Sequence, residues 1–282
     1  MSTELEATTT DLEARGQELL AGPSPEYLAM VMPLLRLAMK GYFRSEVRDI
    51  ERVPDGGVLV ISNHSGGLTP MDLPVFVVDF VQAFGVQRPV FCLTHDIFMK
   101  VFGPLVRPFG LIGATRANAL AVLRAGGVTM VFPGGDHDAL RPTRGANTID
   151  FNGRTGYVRT ALDAGVPIVP VVSIGGQEGQ LHLTRGGWFG RRSPLRHVIR
   201  SEYMPVSFGF PWGLTVGFPV NIPLPTKIVS QVLDPVDVVG IAAEHGPDGR
   251  DAAIVEIDEL IRARMQEALD ALAAERRFPV LG

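Results

Sequence analysis

The stretch from Val58 to Asp72 constrains the fold more than any other part of this chain. Val58, Leu59, Val60 and Ile61 are unbroken aliphatic residues, a pattern suited to a strand buried on both faces. The run stops at Ser62, Asn63 and His64, and Gly66, Gly67 and Pro70 then demand an irregular loop. Apolar residues 73–84 follow with the length of a helix. A histidine and a carboxylate, His64 and Asp72, therefore bracket a glycine-rich loop at the end of a buried strand, where open α/β sheets carry their chemistry. An imidazole titrates near neutrality, and a carboxylate on its second nitrogen fixes the tautomer and stabilises the imidazolium. Such a pair suits a general base that takes a proton from a hydroxyl. The same residues also fit a turn histidine, with Asp72 as the N-cap of the next helix.

Similar apolar runs recur at 90–93, 128–132 and 167–172, each separated from the next by a helical stretch. This order predicts one mixed α/β domain, a single sheet flanked by helices. The boundaries expected are a flexible acidic tail over 1–20, an amphipathic helix over 21–50, the α/β domain over 51–232 and a helical extension over 233–282. Ser24, Pro25 and Glu26 form a helix start. Tyr27, Leu28, Val31, Leu34, Leu35, Ala38 and Tyr42 then recur at helical spacing, and Pro33 predicts a kink. Arg36, Lys40 and Arg44 line another face, as in a helix lying in a lipid interface, although packing onto the domain fits equally. Near the C-terminus, Ile254, Ile257, Leu260, Ile261, Met265, Leu269 and Leu272 form the stripe of a docking helix.

Charge narrows the partners. The formal net charge is −4, and residues 1–20 account for it with five acids against Arg15, so no basic nucleic-acid footprint remains. A single cysteine, Cys92, rules out an internal disulfide and fits a reducing compartment. No apolar run reaches the length of a membrane span, and the opening residues do not form a signal peptide. Residues 185–200 hold five arginines with Trp188 and Phe189 and no acid, which suits an anionic membrane surface. Two further histidines stand near carboxylates. His95 fits a turn better than a second acid–base group, and the Asp136-His137-Asp138 cluster is a poor metal site because neighbours on one loop rarely converge on an ion.

Asn63-His64 followed by Asp72 resembles the Asn-His-x4-Asp motif of the glycerolipid acyltransferase superfamily, with seven residues rather than four between His64 and Asp72. Three further segments follow in that family's order. Gly110 to Arg116 resembles its second block. Phe132-Pro133-Gly134-Gly135 resembles the third, in the form of the neutral-lipid branch, with Asp136 and His137 where a phosphate-binding branch has Thr-Arg. Pro167 to Val172 resembles the fourth, the proline strand. The resemblance implies acyl transfer from acyl-CoA or an acyl-carrier protein to a glycerolipid hydroxyl, with His64 as base and Asp72 orienting it. It further implies that Asn63, Gly66, Gly67, Arg116, Pro133, Gly134, Gly135, Asp136, Arg141 and Pro170 shape the substrate sites. Backbone N–H groups of the glycine loops would serve the oxyanion. No metal or bound cofactor is implied. The expected location is the cytoplasmic face of a membrane, peripheral or monotopic. A hydrolase or transacylase using the same loop, or a non-catalytic lipid-binding protein, are the alternatives.

Overall fold

The computed structural model describes residues 9–67, 71–94, 96–145, 147–193, 202–278 and 280. His95, residues 68–70 of the His64 loop and the second half of the 185–200 arginine stretch lie outside them. Among the described residues the strands in chain order are β1 (Glu46–Arg48), β2 (Val58–Ser62), β3 (Val90–Thr94), β4 (Leu111–Gly113), β5 (Val128–Val131), β6 (Ile168–Ile174), β7 (Leu181–Thr184), β8 (Val206–Gly209), β9 (Gly213–Val216) and β10 (Val229–Val232). Seven form one mixed sheet in the order β1-β10-β6-β2-β5-β3-β4. Its core, β6 to β4, is parallel, and β10 joins antiparallel at the side of β6.

The apolar runs explain this order. Every side chain of β2 and β6 is buried, as continuous aliphatic strands require at the centre of a sheet covered on both faces. On one face, Phe76 and Phe80 of the helix Asp72–Phe84 pack against Val58, Val60 and Val169. On the other, Ile254, Ile257, Ile261, Met265 and Leu269 of the helix Arg250–Glu275 join Leu59, Ile61, Ile168 and Val172 in one cluster. The C-terminal stripe is thus a core layer of the domain, and the domain also reaches back to β1, which pairs with β10 through Glu46 and Val229.

The expected flexible tail is corrected for its described part. Thr9–Leu20 is a helix, with Leu12 buried and Arg15 Nε donating to Asn118 Oδ1 at 2.8 Å on the helix Arg116–Arg124. Leu19 and Leu20 pack beside Phe91, Ile112 and Val122, which supplies the apolar burial a solvated tail would lack. The amphipathic segment folds as an α-helix, Pro25–Arg36, running into a π-helical stretch, Leu37–Tyr42. Lys40 Nζ pairs with Asp79 at 2.6 Å, and Arg44 donates to the Pro225 and Val280 carbonyls. Two of the three cations expected to face lipid are therefore tied to the protein. The exposed face is instead apolar, carrying Met30, Leu34 and Leu37. Beside the main sheet, β7, β8 and β9 form a second, antiparallel sheet.

Candidate active site

Three adjacent parallel strands bring the candidate residues to one edge of the main sheet. Asn63 and His64 follow β2, residues 132–138 follow β5, and Ser173 sits near the end of β6, with β2 paired to both neighbours. Asn63 is buried, and its side chain donates to the Ser173 carbonyl at 2.8 Å and accepts from the Ser173 N–H at 2.9 Å. It splices the ends of β2 and β6 together and so fixes the start of the loop. The next residue is thrown to the mouth of the sheet, where the His64 ring stacks on Phe132 at 4.0 Å with planes 6° apart.

Asp72, the first residue of its helix, turns back into this loop. Its carboxylate is 1% exposed and accepts from Ser65 N–H at 2.9 Å, from Ser65 Oγ, and from Ser173 Oγ at 2.9 Å. Ser230 Oγ donates to Ser173 Oγ at 3.1 Å behind it. His64 Nδ1 lies 3.6 Å from Asp72 Oδ2, beyond hydrogen-bond length but close enough for the buried charge to act on the ring. The seven-residue spacing thus still leaves carboxylate and imidazole side by side. Gly66 and Gly67 allow the close packing of the chain just after His64. A Cβ on Gly66 would run into the Gly176 carbonyl, and Gly67 holds φ +65°, where a Cβ would strike the Gln180 side chain.

A second carboxylate supports the histidine from below. Asp138 Oδ2 accepts the His64 backbone N–H at 2.6 Å, and Arg141 pairs with Asp138 and donates to the Thr148 carbonyl. Burial pushes the Asp138 carboxyl up from its usual range, with Arg141 and the His64 N–H pulling the other way. Arg141 is itself buried, so the structure corrects its expected place at an acceptor: its guanidinium is a strut within the protein. Arg116 is corrected too. It opens its helix exposed and pairs with Asp163, near the end of the helix Gly156–Ala164. Pro170 is buried within β6 opposite Ile61.

The third-block loop stays at the mouth. Pro133 and Gly135 are partly exposed, while Gly134 is buried at the start of the short helix Gly135–Ala139. Asp136 accepts from Arg154 Nη2 at 3.1 Å, and Arg154 Nη1 donates to the Gly134 carbonyl at 2.8 Å. His137 bridges Asp150 at 2.8 Å and the Tyr203 hydroxyl at 3.1 Å. The N–H groups of Gly67 and Gly135 donate to the Ala139 and Phe132 carbonyls, which removes two of the expected oxyanion donors. Among the described residues, no cluster of three or more His, Cys, Asp or Glu could hold a metal ion.

Sequence reasoning missed Ser65, Ser173 and Arg154, and it weighed Asp138 only as a metal ligand. Serines and an arginine at such positions carry no local signal. Asp138 had one: it stands beside the glycine loop that lies next to the histidine loop in the sheet.

Residues 44–174 match a family model described as Acyltransferase. An uncharacterised protein of Mycobacterium tuberculosis is 31% identical over 252 residues, covering 88% of this chain and 67% of that protein. A mouse (Mus musculus) protein described as a DGAT1/2-independent enzyme synthesizing storage lipids is 29% identical over 199 residues, covering 67% of this chain but 55% of that protein. The fold is similar to the crystal structure of the 1-acyl-sn-glycerophosphate acyltransferase PlsC from Thermotoga maritima, with a TM-score of 0.52 over 95% of this chain and 100% of that one at 17% identity.

Proposed function

Because the chain belongs to the glycerolipid acyltransferase superfamily, we propose that it moves a fatty acyl group from acyl-CoA, or an acyl-carrier protein, to the hydroxyl of a glycerolipid. The reading rests above all on one observation: His64, past the end of a central parallel strand, has Nδ1 3.6 Å from the buried Asp72 carboxylate. That leaves Nε2 to take the acceptor's proton. The alkoxide attacks the thioester carbonyl, the tetrahedral intermediate collapses, and the departing thiolate recovers the proton from the imidazolium. Products are an ester and the free thiol. No protein nucleophile is needed, and Asp72 stabilises the transient imidazolium.

We propose further that the acceptor is a neutral acylglycerol. Asp136 lines the third-block loop with Arg154 paired to it, while Arg141 is committed to Asp138 and Arg116 to Asp163, so two of the cations that would greet a phosphate are engaged elsewhere and the third is partly neutralised. The mouse relative, described by its synthesis of storage lipids, fits this branch. With lipid as acceptor and product, the enzyme works peripherally at a bilayer surface, on its cytoplasmic side. No described helix is long and apolar enough to cross a membrane.

The test is radiolabelled acyl-CoA incubated with monoacylglycerol, diacylglycerol and lysophosphatidate presented in vesicles. Labelled acylglycerol is expected, and it should be lost in His64→Ala. Release of CoA with labelled free fatty acid would mean hydrolysis, and an inert but folded protein would end the enzymatic reading.

A further inference from the structure

The second sheet is turned inside out for a protein surrounded by water. Its strands alternate as strands do, but the polar residues point inward. His182, Ser207 and Thr215 sit opposite one another across the three strands. His182 and Thr215 are buried, and His182 Nδ1 bonds Ser207 Oγ at 2.7 Å. The outward rows are apolar. Leu181, Phe208 and Leu214 are paired side by side, and they are 37%, 53% and 63% exposed. At the β8–β9 turn, Phe210 and Trp212 are 68% and 59% exposed. An inverted pattern of this kind suits a sheet whose outer face meets an apolar medium, and a contiguous patch of such size marks an interaction surface.

Two observations identify the medium. The first is charge. Residues 181–231 hold six lysines and arginines and one acid, Glu202, within a chain of net charge −4. Arg196 and Arg200 lie outside the described residues, Arg185 turns to His137 and Lys227 to Glu46, while Arg191 and Arg192 stand on the helix Gly187–Arg192 that follows β7. Arg192 lies over the Trp188 ring at 4.8 Å, beside the sheet. Cations beside exposed aromatics complement anionic headgroups above an apolar interior. The second is continuity. Phe210 bridges Ile222, and the Pro223 carbonyl next to it accepts the Tyr42 hydroxyl at 2.9 Å. Through Tyr42 the patch meets the helix whose Met30, Leu34 and Leu37 are exposed. The sheet also adjoins the catalytic loops: Gln180 packs on Gly67, and Arg185 Nε donates to the His137 carbonyl at 3.0 Å.

We propose that the outer face of β7–β8–β9 is a docking surface for a lipid bilayer containing acidic headgroups, with the Phe210–Trp212 turn inserted below them. The proposal deepens the acyltransferase reading and rests on it for its purpose: docking holds the His64 loop at the bilayer, where an embedded acceptor presents its hydroxyl. A second copy of this chain is the rival occupant, but Arg191 and Arg192 would face their own like charge across a symmetric interface on this side.

The experiment uses the full chain, vesicles of phosphatidylcholine with and without phosphatidylglycerol, and the triple variant Leu181→Thr, Phe208→Thr, Leu214→Thr. Threonine keeps strand propensity at exposed positions, and melting temperature controls for folding. The variant should bind anionic vesicles at least tenfold more weakly. In a Trp188→Phe background, leaving Trp212 as the single tryptophan, brominated lipids should quench its fluorescence. Turnover of an acceptor in vesicles should fall with binding, while turnover of a water-soluble short-chain acceptor is retained. Should the wild type prove unable to transfer acyl groups at all, loss of vesicle binding in the variant would still support the docking surface. Unchanged vesicle binding in the folded triple variant, absence of quenching, or Trp212 buried in a stable dimer that ignores vesicles would each overturn it.

Discussion

Asp72 is held by three donors, none of which belongs to the neighbouring His64. A buried carboxylate fixed by Ser65 and Ser173 cannot swing away, so its charge stays beside the ring even though the Nδ1 distance is 3.6 Å. We expect His64→Ala to abolish turnover without lowering the melting temperature, and Asp72→Asn to lower kcat by about 10²–10⁴-fold, as loss of an orienting carboxylate does. Steady-state kinetics checks both, and normal activity in a folded His64→Ala protein would sink the mechanism. Of this group, the sequence disclosed His64 and Asp72 through their types and the loop between them. It was silent on Ser173, whose partner lies over a hundred residues away on a neighbouring strand. A second histidine gives a prediction about stability. Burial pushes His182 down from 6.5 to about 4, so the unfolded chain binds a proton there before the folded one does. Its contribution is whole above about pH 6.5 and is lost as pH falls toward 4, by at most about 3 kcal/mol at 1.36 kcal/mol per unit. His182→Asn, which keeps a donor near Ser207, should flatten the fall in melting temperature between pH 6.5 and 4.5. An acid slope as steep as that of the wild type would show that other groups carry it.

At the level of elements, the proposed acceptor preference turns on the loop after β5. An ionised Asp136 about 4–5 Å from a phosphate would repel it by roughly 3–4 kcal/mol at an effective dielectric near 20. Arg154, 3.1 Å from that carboxylate, offsets part of this repulsion. The exposed pair is thus a graded discriminator, and the two partners should move selectivity in opposite directions. We expect wild-type kcat/KM to favour monoacylglycerol over lysophosphatidate, Asp136→Asn to narrow the ratio and Arg154→Ala to widen it. A tenfold wild-type preference for lysophosphatidate, or both variants shifting the ratio the same way, would count decisively against this account. Which elements were legible follows from their physics. Long apolar strands such as β2 and β6 and the periodic stripe of Arg250–Glu275 announce themselves, because burial on both faces, or along one stripe, dictates composition. β1 is three residues with two charges, and only its pairing with β10 makes it a strand. The second sheet was hidden for the opposite reason: its alternation is regular, but with the apolar residues outward it resembles no ordinary strand in water.

Across the whole molecule, acid and base are segregated. Residues 1–20 carry the chain's entire net charge, and residues 181–231 hold six lysines and arginines against one acid. Two forces of different reach should therefore hold the protein on a bilayer. The cationic attraction is worth about 1 kcal/mol for each Lys or Arg close to an anionic surface, and it fades over a Debye length of about 10 Å at 0.1 M salt or about 3 Å at 1 M. The apolar contribution of Phe208, Phe210, Trp212 and Leu214 does not fade, because salt leaves burial of hydrocarbon intact. A salt titration separates them. On vesicles containing phosphatidylglycerol, affinity should fall by about ten- to a hundredfold between 0.1 and 1 M NaCl as screening removes the first force. It should then level off at the value measured on phosphatidylcholine alone, where the salt dependence is nearly flat. Complete release from anionic vesicles at 1 M salt would leave electrostatics as the sole force and make the exposed face irrelevant to binding. Indifference to both salt and headgroup would do the same for the arginines. A descending curve with a plateau requires both, and it distinguishes a surface that embeds in the bilayer from one that is merely attracted to it.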